Sequence, residues 1–142
     1  MMKKHRTLLI IFLIVVITAI GRYITGIPEL KLVNYLGQDG IRDFYVKDGF
    51  VYIDGGLTVK NNTSRHLNFS FSAESHEDYE NGLLMSPELT VYDKTLSKTR
   101  FSIAPKEEKT YHVFFVGKRG SGNQKYDRLI PDIIKITEIE KQ

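Results

Sequence analysis

Residues 57–74, LTVKNNTSRHLNFSFSAE, decide the fold. Leu67, Phe69, Phe71 and Ala73 alternate with Asn68, Ser70 and Ser72. That period of two puts one face in a core and the other in water, which is the signature of a half-buried strand. Asn61-Asn62-Thr63-Ser64, rich in residues whose side chains bond their own backbone, is the connecting loop before it. Just upstream, Gly55-Gly56 predicts a bulge or bend. In FYVKDGFVYI, residues 44–53, Asp48-Gly49 stands between two apolar runs. Both residues tolerate the positive φ of a two-residue hairpin turn, so a hairpin is expected there.

Downstream, strands are expected over Glu88 to Asp93, Arg100 to Ala104, Thr110 to Val116 and Ile133 to Ile139. Pro87, Pro105 and Pro131 lie at their edges, where no ladder donor is needed. HEDYENGLLM, residues 76–85, has room for one short helical turn. No stretch after Pro28 carries a capped helical period. Some seven to nine short strands at this spacing predict an all-β, antiparallel sandwich.

The opening stretch, together with FSIAPKEEKTYHVFFVG at residues 101–117, resembles the immunoglobulin-like or fibronectin-type sandwiches of small exported Gram-positive membrane proteins. The likeness rests on the Lys-Asn-Asn turn before an alternating strand. It also rests on Phe101, Ile103, Pro105, Glu107, Glu108 and Phe115, which form an apolar corner with acids before an aromatic strand. The resemblance implies an immunoglobulin-like fold and, because such modules serve adhesion, scaffolding and ligand presentation alike, a binding role of unspecified kind. The cysteines and tryptophan of antibody domains are absent.

Composition narrows the function classes. All 17 acids of the 142-residue chain lie after residue 28, while Lys3, Lys4, Arg6 and Arg22 lie before it. The domain over residues 29–142 therefore carries 16 cations against 17 acids, which argues against nucleic acid as a partner. The chain has no cysteine, which removes disulfides, thiolate metal sites and cysteine nucleophiles. A cysteine-free exported domain points to a bacterial envelope, where the sequons at Asn61, Asn62 and Asn68 are chance matches; in a eukaryotic source they would mark a glycosylated surface.

The first 28 residues are of another kind. A basic cluster from Lys3 to Arg6 precedes Thr7 to Ile20, an uncharged run of 14 residues. As a helix it measures roughly 21 Å against a hydrocarbon core of about 30 Å. Two readings stand. Either the segment is a signal peptide cut after Gly21, which frees the domain, or Leu8 to Ile27 spans the membrane as a signal anchor with Arg22 snorkelling outward. In both, the basic flank stays cytoplasmic and the 29–142 domain is extracytoplasmic.

Two clusters merit a functional reading. GKRGSGNQKYDR gathers Lys118, Arg119, Lys125, Tyr126 and Arg128 in a glycine-rich loop, expected to be mobile and solvated. It matches neither a P-loop nor a nucleophile elbow, so contact with a protein partner or an anionic surface is its functional reading. AESHEDYEN gathers Glu74, Glu77, Asp78 and Glu80 around His76, weak metal candidates without zinc or EF-hand spacing. His66 and His112 fall on strands away from any evident catalytic partner. No catalytic residue and no cofactor is expected. The leading expectation is a non-enzymatic, membrane-anchored binding or adaptor module in an envelope complex. A small-ligand or ion-binding protein and an immunity-type protein are the alternatives.

Overall fold

The computed structural model describes residues 7–17, 27–35, 44–122 and 131–139. A helix, α1, covers residues 7–17. It is followed by β1 (Leu30–Tyr35), β2 (Phe44–Lys47), β3 (Phe50–Asn61), β4 (Leu67–Glu74), α2 (His76–Glu80), β5 (Glu88–Asp93), β6 (Phe101–Ile103), β7 (Glu108–Lys118) and β8 (Ile133–Ile139). The eight strands form one hydrogen-bonded sheet in which every pairing is antiparallel.

That sheet doubles over into two layers. In the first, β1 and β2 share one edge of β3, and β7 takes the other. In the second, β8 lines one edge of β4, and β6 with the start of β5 shares the other. Strand β5 joins the layers, since Thr90 faces Ser72 of β4 on one side and Val116 of β7 on the other. The expected alternation in β4 is met: Leu67, Phe69, Phe71 and Ala73 are buried, and Ser72 is exposed. Phe69, Phe71 and Phe101 from one layer meet Tyr111 from the other, edge to face, with the Phe69 and Phe101 centroids each 5.5 Å from that of Tyr111. Burial pushes the Tyr111 phenol pKa upward, and its hydroxyl donates to the Ser102 carbonyl at 2.6 Å, which satisfies a polar atom inside the core.

The Asp48-Gly49 hairpin forms with both residues at positive φ, 52° and 78°. The bulge expected at Gly55-Gly56 does not: β3 and β7 stay in register through both residues. Gly55 instead leaves room for the Phe115 ring, which a Cβ would meet at 3.1 Å. The irregularity lies in β1, between Leu32 and Asn34.

Asn61 explains the Lys-Asn-Asn turn. Its side chain is wholly buried. It donates to the carbonyls of Arg65 (2.7 Å) and Ala104 (3.0 Å), and accepts from the backbone N–H (2.9 Å) and hydroxyl (2.8 Å) of Thr63. Glu107 closes the facing corner by accepting from the Ala104 N–H at 2.9 Å. Arg65 pairs with Glu29 at 3.1 Å and with Glu138 at 3.9 Å, bringing the entering chain and β8 together. Leu30 pairs with Asn61, the last residue of β3. The chain therefore enters the sandwich at this end, the entry pole. Phe50, the first residue of β3, marks the far pole, roughly 36 Å away at about 3.3 Å per residue.

Of the expected span from Leu8 to Ile27, helix is described only to residue 17, a length of roughly 16 Å at about 1.5 Å per residue. Among the described residues no helix is long and apolar enough to cross a membrane. Residues 18–26, with Gly21 and Arg22, lie outside the described residues.

Candidate functional site

The described parts of both clusters singled out in the sequence arrive at the far pole. Strand β7 ends there at Lys118 and β4 at Glu74. Backbone hydrogen bonds join the two neighbourhoods: Met85 N–H to the Lys118 carbonyl (2.9 Å), Gly120 N–H to Leu83 (2.6 Å) and Gly122 N–H to Gly82 (2.9 Å). On the other flank the Arg119 N–H donates to the Gly49 carbonyl at 2.9 Å.

The first half of the glycine-rich loop is thus docked, contrary to the mobile, solvated hairpin expected. The reason is close backbone approach. A Cβ at position 120 would stand 2.3 Å from the Gly82 carbonyl oxygen, and one at 122 would stand 2.8 Å from that of Asn81. The glycines serve packing here rather than looseness. Lys125, Tyr126 and Arg128 lie outside the described residues.

Docking creates a groove of about 520 Å³ lined by Tyr79, Leu84, Met85, Arg119 and Ser121 with the glycine backbone. Two apolar side chains are left in solvent at its lips, Tyr79 at 47% and Met85 at 58% exposure. Phe50, 40% exposed, stands across the ladder from Lys118. Lys118 and Arg119 are exposed, and no ion pair among the described residues involves either.

The acidic segment divides by depth. Asp78 is buried and takes a hydrogen bond from the Ser75 hydroxyl. Burial raises its pKa above the ordinary carboxylate value, and the neighbouring Glu77 charge adds to the rise. Glu77 and Glu80 point outward. Glu74 meets His76 Nε2 at 3.3 Å, and Asp132 takes Nδ1 at 3.0 Å and the His76 backbone N–H at 3.1 Å. Against slight desolvation, those His76 bonds hold Asp132 below the usual carboxylate range. Among the described residues no group of three or more histidines or acids is arranged to hold a metal ion. The four acids Glu74, Glu77, Asp78 and Glu80 are brought to one pole without converging on one point.

A pair the sequence did not disclose lies on the outer face of the β3–β7 ladder. His112 Nε2 stands 2.5 Å from Asp54 Oδ1. Gly56 is directly opposite His112 in the register, and the bare position lets the imidazole reach across to Asp54. The two residues are 58 apart in sequence, and the local sign was an aspartate directly after the apolar run Phe50 to Ile53.

No protein-family model matches the chain, and no curated protein matches it. Among solved structures it is similar to an uncharacterised β-sandwich protein from Clostridium difficile 630. That likeness has 16% identity and a TM-score of 0.31, and covers 63% of this chain and 67% of the other. The class of the molecule follows from its own hydrogen bonding and core packing: among the described residues, eight antiparallel strands folded into a sandwich, preceded in the chain by a short apolar helix.

Proposed function

We propose that the protein is a single-pass, membrane-anchored extracytoplasmic binding module. Its immunoglobulin-like sandwich presents the far pole to a protein partner in the envelope. The observation that carries this reading is the β1–β3 register, which brings the chain in at the pole opposite the groove. A contact surface roughly 36 Å from the point of entry, at about 3.3 Å per residue, faces away from the membrane that holds the anchor. This favours a protein partner over the anchor's own lipid headgroups.

Two further observations support the reading. Leu8 to Val15 and Ile17 are 56–73% exposed and Val16 is half-buried, so among the described residues most of the apolar surface of α1 is uncovered. A helix apolar all round is matched to a bilayer rather than to water. For the immunoglobulin-like type, the support is the Tyr111 hydroxyl reaching back nine residues to Ser102, in the manner of a tyrosine corner at the start of a late strand.

Because the chain lacks cysteine, single Met85→Cys and Lys31→Cys variants test the topology directly. Both are expected to react with a membrane-impermeant maleimide on intact cells, with an intact mass that retains residues 1–28. Labelling only after lysis would refute the orientation, and a mature chain beginning at Arg22 would refute the anchor.

A further inference from the structure

Resting on that reading, we infer that the far-pole groove takes an extended acidic segment of the partner protein, with an apolar side chain seated between Tyr79 and Met85 and a carboxylate on Arg119. Charge and exposed apolar surface meet at this groove. Arg65 is matched by two glutamates, while Arg119 and Lys118, like the other described lysines, make no ion pair among the described residues; what sets Arg119 apart is that it lines the groove beside the exposed Tyr79 and Met85. Two adjacent cations held in place by docked backbone, without an ion-pair partner among the described residues, are set for an anion brought from outside.

The apolar lips decide what kind of anion. A bare polyanion such as a wall polymer uses charge alone and leaves Tyr79 and Met85 uncovered. A peptide carrying both an apolar residue and an acid covers them and pairs the guanidinium in one geometry. Methionine and tyrosine are suited to this, the first by adaptability and the second by its rigid, amphipathic ring.

The acids of α2 do not oppose this orientation. At about 100° per residue, Glu77 and Glu80 share a side of the helix turned some 130° from Tyr79. They sit beyond the apolar lip, and they require the partner's carboxylate to lie on the Arg119 side.

The test is selection of random twelve-residue displayed peptides on the full chain in neutral-detergent micelles. The expected outcome is enrichment of sequences with an aromatic or aliphatic residue beside Asp or Glu. Their binding should fall about tenfold in Arg119→Glu and in Met85→Ser, as for loss of a central anchor. It should be unchanged in Lys31→Glu at the entry pole. Enrichment of neutral or basic sequences, no enrichment, or polyglutamate binding as tightly as the selected peptides would each overturn the inference. If any of these occurs while a photocrosslinker at Met85 still captures a protein in cells, the groove's ligand class is wrong and the binding-module reading stands. If that crosslink is absent as well, the reading itself fails.

Discussion

The two poles of the sandwich are made from the same strands and finished in opposite ways. At the entry pole the polar groups of the turn are matched within the molecule. Asn61 makes four hydrogen bonds from a fully buried position, Glu107 caps the corner, and Arg65 is shared by Glu29 and Glu138. At the far pole the backbone is as closely held, through Gly120 and Gly122, yet the side chains are not. Asp78 is buried with a carboxyl that resists ionisation, Tyr79 and Met85 stand in solvent, and Lys118 and Arg119 lack acids among the described residues. Rigid backbone under unmatched side chains is what a contact surface requires, because binding then costs less ordering entropy. The entry pole has a hollow of its own, about 740 Å³ and lined by Glu29, Arg65, His66 and Glu138, but its arginine is already paired within the molecule.

The comparison can be broken or sharpened by a graded series of variants. Phe69→Ala removes the ring at the centre of the aromatic cluster, and should cost about 3–5 kcal/mol by urea denaturation. Asn61→Ala strands the part-buried carbonyls of Arg65 and Ala104 and the Thr63 N–H, and should cost about 2 kcal/mol; a loss below about 1 kcal/mol would deny Asn61 its role in closing the entry pole. Gly120→Ala forces a Cβ onto the Gly82 carbonyl. The expected loss is about 1–2 kcal/mol, with faster amide exchange at Met85 and Gly122 and unchanged protection at Asn61.

A smaller effect depends on pH. Asp78 has a folded pKa above its unfolded value, so the native state holds that proton more tightly. The ionised carboxylate therefore becomes a cost as pH rises from the unfolded value through the folded one. Asp78→Asn should match the wild type below about pH 3.8, the ordinary aspartate range, and melt a few degrees higher at pH 7. A variant that melts lower at every pH would contradict this. The smallest effect belongs to the double variant Lys118→Ser with Arg119→Ser. Its stability should lie within about 0.5 kcal/mol of wild type while partner binding falls.

The strand pattern was legible because it is local. Alternation in β4, the Asp48-Gly49 turn, and the bounds of β5 and β8 follow from residues next to one another. Strand β1 escaped because LKLVNY is short, bulged and only half-buried, so its period of two is broken. The site was legible in part: Lys118, Arg119 and the acids from Glu74 to Glu80 were singled out, but as two separate segments. Their union depends on contacts between residues near 83 and 120, and on glycines whose composition reads as flexibility while their packing requires rigidity. The Asp54–His112 pair depends on the register of two strands far apart in sequence.

The central claim, that one pole joins the anchor and the other meets a partner, is tested most directly by site-specific photocrosslinking in living cells. A photoreactive residue at Met85 is compared with one at Lys31. The account predicts a discrete protein adduct from position 85 and none from position 31. An adduct from position 31 alone, or crosslinks from position 85 confined to lipid, would contradict it.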